Sequence, residues 1–303
     1  MEQAELLGVV SAFIASLAWA CSTVIMKSLT FRMDFLSLNT FRLWVASFLL
    51  LSFVLITGRG AQLLETPLTP LLLVIASGVI AVAAGDTLYI KSLSLVDASK
   101  AFTIAQSSFP LLTAFVAVLF LGEAFSWRLA VGAGLVLSGI YFVSGRSKNH
   151  PVAIGGSNAN ARGVALALTA AGIWTMAAVT LKIGVTQMDT FVAAGIRIPA
   201  AAAVLTFFFI LSRQIGGKSL MPQLFNAKSA GLAAVAGTLT YAVAAVAYVI
   251  AIQSIGAART VLITTAAPVL VLPLSILLLK EKPGFTAIVG VASCVLGIFF
   301  IAA

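Results

Sequence analysis

Three charged residues, Arg42, Asp86 and Arg197, lie well inside long apolar stretches of this chain. A charge placed at that depth costs on the order of 3 kcal/mol by insertion scales, so each needs a compensating role. Asp86 is the only acid so placed; the other eight are terminal, in loops or at the ends of apolar stretches. A lone carboxylate there can take up and release a proton against a bound solute, and a purely local role would pair it with Lys91 or an arginine. The two arginines either gate access from the two sides or attract a carboxylate, unless they snorkel to the nearer headgroups.

Neutral polar and aromatic residues accompany these charges. Gln106, Ser107 and Ser108 precede Pro110, and Thr264 and Thr265 precede Pro268. Their amide and hydroxyls can bond a zwitterion or fold back onto their own helices. Each proline sits mid-span and is expected to remove a hydrogen bond and kink its helix. Trp19 and Trp174 occupy matched mid-helix positions away from the interfacial belts, while Tyr89, Tyr241 and Tyr248 lie in neighbouring stretches. Rings lining a site would favour apolar or aromatic ligand groups.

The elements that must position these residues follow from composition. The 303 residues are 61% hydrophobic and 9% charged, with a mean hydropathy of +1.13, whereas soluble domains carry about 25% charged residues. A span needs roughly 20 apolar residues, and ten such stretches fall at 6–28, 35–57, 69–92, 98–121, 126–145, 163–184, 189–212, 229–252, 257–279 and 284–303. The longest polar stretches, 58–68, 146–162 and 213–228, leave no room for a soluble catalytic or nucleotide-binding domain.

The ten stretches are two copies of five. At an offset of 155, Gly8 falls on Gly163, Trp19 on Trp174, Lys27 on Lys182, Met33-Asp34 on Met188-Asp189 and Arg42 on Arg197; at 158, Pro110 falls on Pro268, Glu123 on Glu281, Gly132 on Gly290 and Gly139 on Gly297. Asp86 has no such partner. With an odd number of spans per copy, the second must enter the membrane upside down. The fold class is therefore all-α membrane protein, ten transmembrane helices in two inverted repeats, 1–145 and 163–303, joined by a cytoplasmic loop at 146–162.

The formal charge of +9 is scattered singly between spans, which argues against a nucleic-acid partner. Counted by alternate loops, Lys and Arg number twelve on one side and four on the other. The positive-inside rule then puts loops 1–2, 3–4, 5–6, 7–8 and 9–10 in the cytoplasm and both termini outside. Gly217-Lys218-Ser219 lacks the earlier glycine of a phosphate loop. Cys21 and Cys294 form neither a disulfide framework nor a metal cluster, and residues 1–20 begin with Glu2 and Glu5 rather than a positive leader, so a retained first helix is expected. There is no His-Glu-x-x-His and no Gly-x-Ser-x-Gly, and the one histidine, His150, is in a loop. Neither an enzyme nor a cofactor or metal is expected.

The run Tyr89-Ile-Lys-Ser-Leu, Ala98-Ser-Lys-Ala, Pro110-Leu-Leu, Leu121-Gly122-Glu123, Gly132 and Gly139 recurs as Tyr248, Gly256-Ala-Ala-Arg259, Pro268-Val-Leu, Leu279-Lys280-Glu281, Gly290 and Gly297. In span count, duplication and this spacing the whole chain resembles the EamA-type, ten-helix branch of the drug/metabolite transporter superfamily. The resemblance implies a secondary transporter of the plasma membrane, in a bacterium the inner membrane, that exports amino acids or related small metabolites by alternating access. Aromatic or large apolar substrates and proton coupling through Asp86 are the expectation. The candidate binding residues are Trp19, Asp86, Tyr89, Gln106, Trp174, Tyr241, Tyr248 and Thr264, between spans 1, 3, 4 and 6, 8, 9; Pro110, Pro268, Arg42 and Arg197 are the gating candidates. The alternatives are a multidrug or other metabolite carrier or facilitator, then a passive channel or an intramembrane enzyme.

Overall fold

The computed structural model describes residues 3–120, 127–144, 156–184, 188–215, 226–264 and 267–302. Glu123, His150, Gly217, Lys218, Ser219 and Thr265, singled out above, lie outside them, as do the side chains of Lys182 and Arg259. Every described element is helical, as a chain in lipid requires when its backbone must satisfy its own hydrogen bonds. In the first half these are α1 (Gln3–Leu29), α2 (Phe35–Ile56), a short α3 (Gly60–Glu65), α4 (Leu68–Gly78) running through a π-helical segment, Val79–Gly85, into α5 (Asp86–Leu95), then α6 (Ala98–Phe120) and α7 (Trp127–Ser144). In the second half the described elements are α8 (Gly156–Gly184), α9 (Thr190–Ile215), α10 (Ala227–Gly237), a second π-helical segment, Thr238–Ala244, α11 (Ala245–Thr264), α12 (Ala267–Leu279) and α13 (Phe285–Ala302). Among the described residues six helices are long and apolar enough to cross a membrane, with shorter apolar helices at 130–143, 267–279 and 285–300.

Helix ends show how the halves are oriented. Asp34 caps α2 by accepting from the Ser37 amide at 3.0 Å, and its repeat partner Asp189 caps α9 by accepting from the Phe191 and Val192 amides at 2.9 and 3.1 Å. Asp34 also pairs with Arg213 in the last turn of α9, while Asp189 pairs at 3.6 Å with Arg59, just beyond α2. The start of each helix therefore meets the end of the other, so α2 and its copy α9 are antiparallel. The same holds for α7 and α13. A Cβ on Gly290 would lie 2.7 Å from the Gly139 carbonyl, and one on Gly297 would lie 2.7 Å from that of Gly132. These are close-packing glycines of the kind membrane helices use, and their crossed pairing makes the two repeats inverted.

One expectation about helix breaks changes. The second half was expected to turn between 252 and 257, but α11 continues to Thr264. In the first half the turn is made by Val96, which is extended at φ −134° and ψ 168°, ahead of Asp97. At 255–258 the chain reads Ile-Gly-Ala-Ala, with no proline or aspartate to stop a helix. Residues 265 and 266 lie outside the described residues, and α12 carries both Pro268 and Pro273. Pro110 lies inside α6.

Candidate functional site

The third span of each repeat carries a π-helical segment, a form that clusters at functional sites because it shifts the helical register and leaves polar backbone groups to be met from outside. Asn39 on α2 meets one of them. Its amide nitrogen donates to the Val82 carbonyl at 2.9 Å and to the Thr87 hydroxyl at 2.8 Å, while its oxygen accepts from Arg42 Nη1 at 3.4 Å. The last residues before the two segments are Gly78 and Gly237. A Cβ on Gly78 would collide with the Arg197 backbone oxygen, and one on Gly237 would lie 2.8 Å from that of Arg42. Glycine thus seats the third span of each repeat directly on the arginine-bearing turn of the other repeat.

Asp86 is the first residue after the first π-helical segment. Trp174 on α8 donates its indole N–H to Asp86 Oδ1 at 2.9 Å, and the Tyr241 hydroxyl, from the second π-helical segment, donates a short hydrogen bond to Oδ2. Gly85 is what lets the indole approach, since a Cβ there would lie 2.7 Å from its Nε1. Tyr89 packs on Trp174 with ring centroids 5.4 Å apart and shares a 3.1 Å hydrogen bond with Thr23, and Phe109 meets Trp174 edge-on at 6.4 Å. A carboxylate of the first repeat is therefore held by two donors of the second.

The two intramembrane arginines belong to the same assembly. Arg42 is 1% exposed, donates from Nη2 to the Thr240 hydroxyl at 3.1 Å, and lies 5.4 Å from the centre of the Tyr241 ring. Snorkelling is thereby corrected for Arg42: the side chain is turned into the bundle. Tyr241 links Arg42 to Asp86, its ring lying against the guanidinium and its hydroxyl bonding the acid, while the Arg197 backbone packs on Gly78 of the span that carries Asp86. The Arg197 side chain makes no hydrogen bond or ion pair among the described residues, and the buried Nε of each arginine has no partner.

Of the residues marked in the sequence, the structure brings together Asp86, Trp174, Tyr241, Tyr89, Arg42 and Arg197. Trp19 and Tyr248 form a second aromatic pair, 5.5 Å apart, among Ala15, Ala18, Ala244 and Ala247. It is the repeat image of Trp174 and Tyr89, without the acid: the residue following the second π-helical segment, where Asp86 follows the first, is Ala245. Gln106 on α6 and Thr264, the last residue of α11, are not among the partners of Asp86. Lys91 is not one either; its ammonium lies 5.1 Å from the Phe35 ring centre. Sequence reading missed Asn39, Thr23 and Thr240. Only Asn39 carried a signal, as an amide one helical turn ahead of Arg42 in an apolar span. Among the described residues no three His, Cys, Asp or Glu side chains converge as metal ligands.

An all-helical membrane fold of two inverted repeats, with its polar centre shared between them, defines a carrier-type architecture. A solved crystal structure covers 99% of this chain and 96% of its own with a TM-score of 0.67 at 23% identity, which shows the fold alone. A comparison with curated proteins finds no match. The model of the EamA-like transporter family matches residues 6–145 and again 161–303, and the chain belongs to that family. The two matches begin 155 residues apart and end 158 apart, the two offsets at which the copies align.

Proposed function

We propose that this transporter exports amino acids, aromatic and large apolar ones among them, from the cytoplasm across the plasma membrane by alternating access. The observation that carries the reading is the Asp86 carboxylate, set among Trp174, Tyr241 and Tyr89 with the Arg42 guanidinium against the Tyr241 ring, at the place where both repeats meet. An α-amino acid is complementary to such a centre, with its ammonium at Asp86 and its side chain against the rings. Ammonium and proton then compete for the same oxygens, which is the exclusion that proton-driven export needs. Carriers of this architecture hold substrate at the repeat interface while the halves rock about it. Counterflow in proteoliposomes tests the reading. Preloaded phenylalanine or leucine should drive saturable uptake of labelled amino acid, whereas nucleotide sugars should not. Uptake that is linear in concentration and indifferent to preloading would make the protein a channel, and exchange of drugs but not amino acids would make it a multidrug carrier.

A further inference from the structure

We infer that Arg42 and Arg197 together form the receptor for a substrate carboxylate, one guanidinium from each repeat. The inference rests on the carrier reading above but not on the amino group of the substrate. Arg42 is 1% exposed, yet of its five N–H donors only two bonds are made, one to Thr240 at 3.1 Å and a long one to Asn39 at 3.4 Å. Its Nε is buried without a partner, and so is that of Arg197, whose side chain makes no hydrogen bond among the described residues. A buried donor left unmet costs about 1–3 kcal/mol, and more when it is charged. Asp86, on the third span that the Arg197 turn contacts, is bonded to Trp174 and Tyr241 and makes no hydrogen bond or ion pair with either arginine. Each guanidinium thus keeps an unmet buried donor, and neither is neutralised by an ion pair among the described residues.

A carboxylate is the ligand that fits planar guanidinium forks, through charge-assisted and often paired N–H···O bonds. Placement supports this role. Gly78 and Gly237 press each arginine-bearing turn against the third span of the opposite repeat, so an anion joining the two arginines also joins the two halves that must move relative to each other.

Binding to the full-length protein in detergent, read by ligand-induced thermal stabilisation, tests the inference separately from transport. The probes are phenylalanine, 3-phenyllactate, which keeps the carboxylate and lacks the ammonium, and phenylalaninamide and phenethylamine, which lack the carboxylate. Both carboxylates should bind at least about tenfold more tightly than the amide and the amine, the minimum expected for losing a hydrogen bond to a charged group. Arg42→Gln and Arg197→Gln should each weaken 3-phenyllactate by a similar factor, with Arg42→Lys and Arg197→Lys falling between. Equal binding of the amide, unchanged affinity in both Gln variants, or no stabilisation by either carboxylate overturns the receptor. If 3-phenyllactate binds and phenylalanine does not, the receptor stands and the amino-acid reading falls.

Discussion

Asp86 and Trp174 share one hydrogen bond, and substitution can separate what each contributes. Asp86→Asn keeps the shape and can still accept one of the two hydrogen bonds, but it cannot gain or lose a proton. In vesicles acidified inside, the wild-type protein should accumulate amino acid as protons leave. Asp86→Asn should lose this accumulation while still exchanging labelled for unlabelled substrate, since exchange moves no net proton. Accumulation by the Asn variant would remove Asp86 from the coupling step. Trp174→Ala deletes a ring that touches Tyr89 and Phe109, so the affinity for aromatic substrates should fall by about 1–3 kcal/mol of apolar burial, and that for alanine or serine by less. Trp174→Phe keeps most of the packing and loses the donor to Asp86, and it should retain aromatic selectivity in counterflow. A uniform loss for all substrates would assign the ring to packing. The residue types of this site were legible in the sequence because charge and tryptophan are conspicuous in apolar helices. Their partnerships were not, since Asp86 and Tyr241 are 155 positions apart and meet only when one repeat is inverted against the other.

Helix ends show a division of labour that the sequence half disclosed. Glu281, from the Leu-Lys-Glu motif at the end of α12, is 4% exposed; it accepts from the Ala98 amide at 2.6 Å and the Ser99 hydroxyl at 2.9 Å, so it caps the start of α6 from another repeat. Lys27, at the end of α1, donates to the Leu93 and Val96 carbonyls at 2.6 and 2.7 Å and so caps the end of α5. Both sides of the turn at 96–97 are thus held by charges from helices elsewhere in the chain. Glu281→Ala should lower the thermal stability of the purified protein by about 1–2 kcal/mol, the loss of a buried cap, and should raise the reactivity of a cysteine introduced at Ser99. Unchanged melting would mean that the bonds to α6 are replaced by solvent. The motif glutamate was visible as a repeated position, but its target was not, because a cap is defined by which helix start it reaches. The π-helical segments were equally hidden: Val-Ile-Ala-Val-Ala-Ala-Gly has no composition that separates it from an α-helical run. The matched Met-Asp pairs, by contrast, were readable as repeat landmarks and prove to be the N-caps of α2 and α9.

At the scale of the molecule, the crossed pairs sort the loops by side. Asp34 with Arg213 joins loop 1–2 to the end of span 7, and Glu281 with Ala98 and Ser99 joins loop 9–10 to loop 3–4, all at one end of the bundle. Arg59 with Asp189 joins loop 2–3 to loop 6–7 at the other. This is the grouping on which the charge count was made. Two of the counted cations have structural duties, Lys27 as a cap and Lys100 as the donor of a 2.7 Å bond to Asn160, and setting them aside leaves ten against four, still enough to orient the chain. The end that carries Asp34, Ala98 and Glu281 should therefore face the cytoplasm. To test this, Cys21 and Cys294 are replaced by serine, and single cysteines are introduced at His150 and at Arg59. In intact cells an impermeant thiol reagent should label position 59 and spare position 150 until the membrane is permeabilised. Labelling of 150 and protection of 59 would reverse the orientation, and with it the expected direction of proton-driven transport, while leaving the inverted pairing of α2 with α9 intact. Labelling of both in intact cells would mean that the two loops share a side, which an odd number of spans between them forbids.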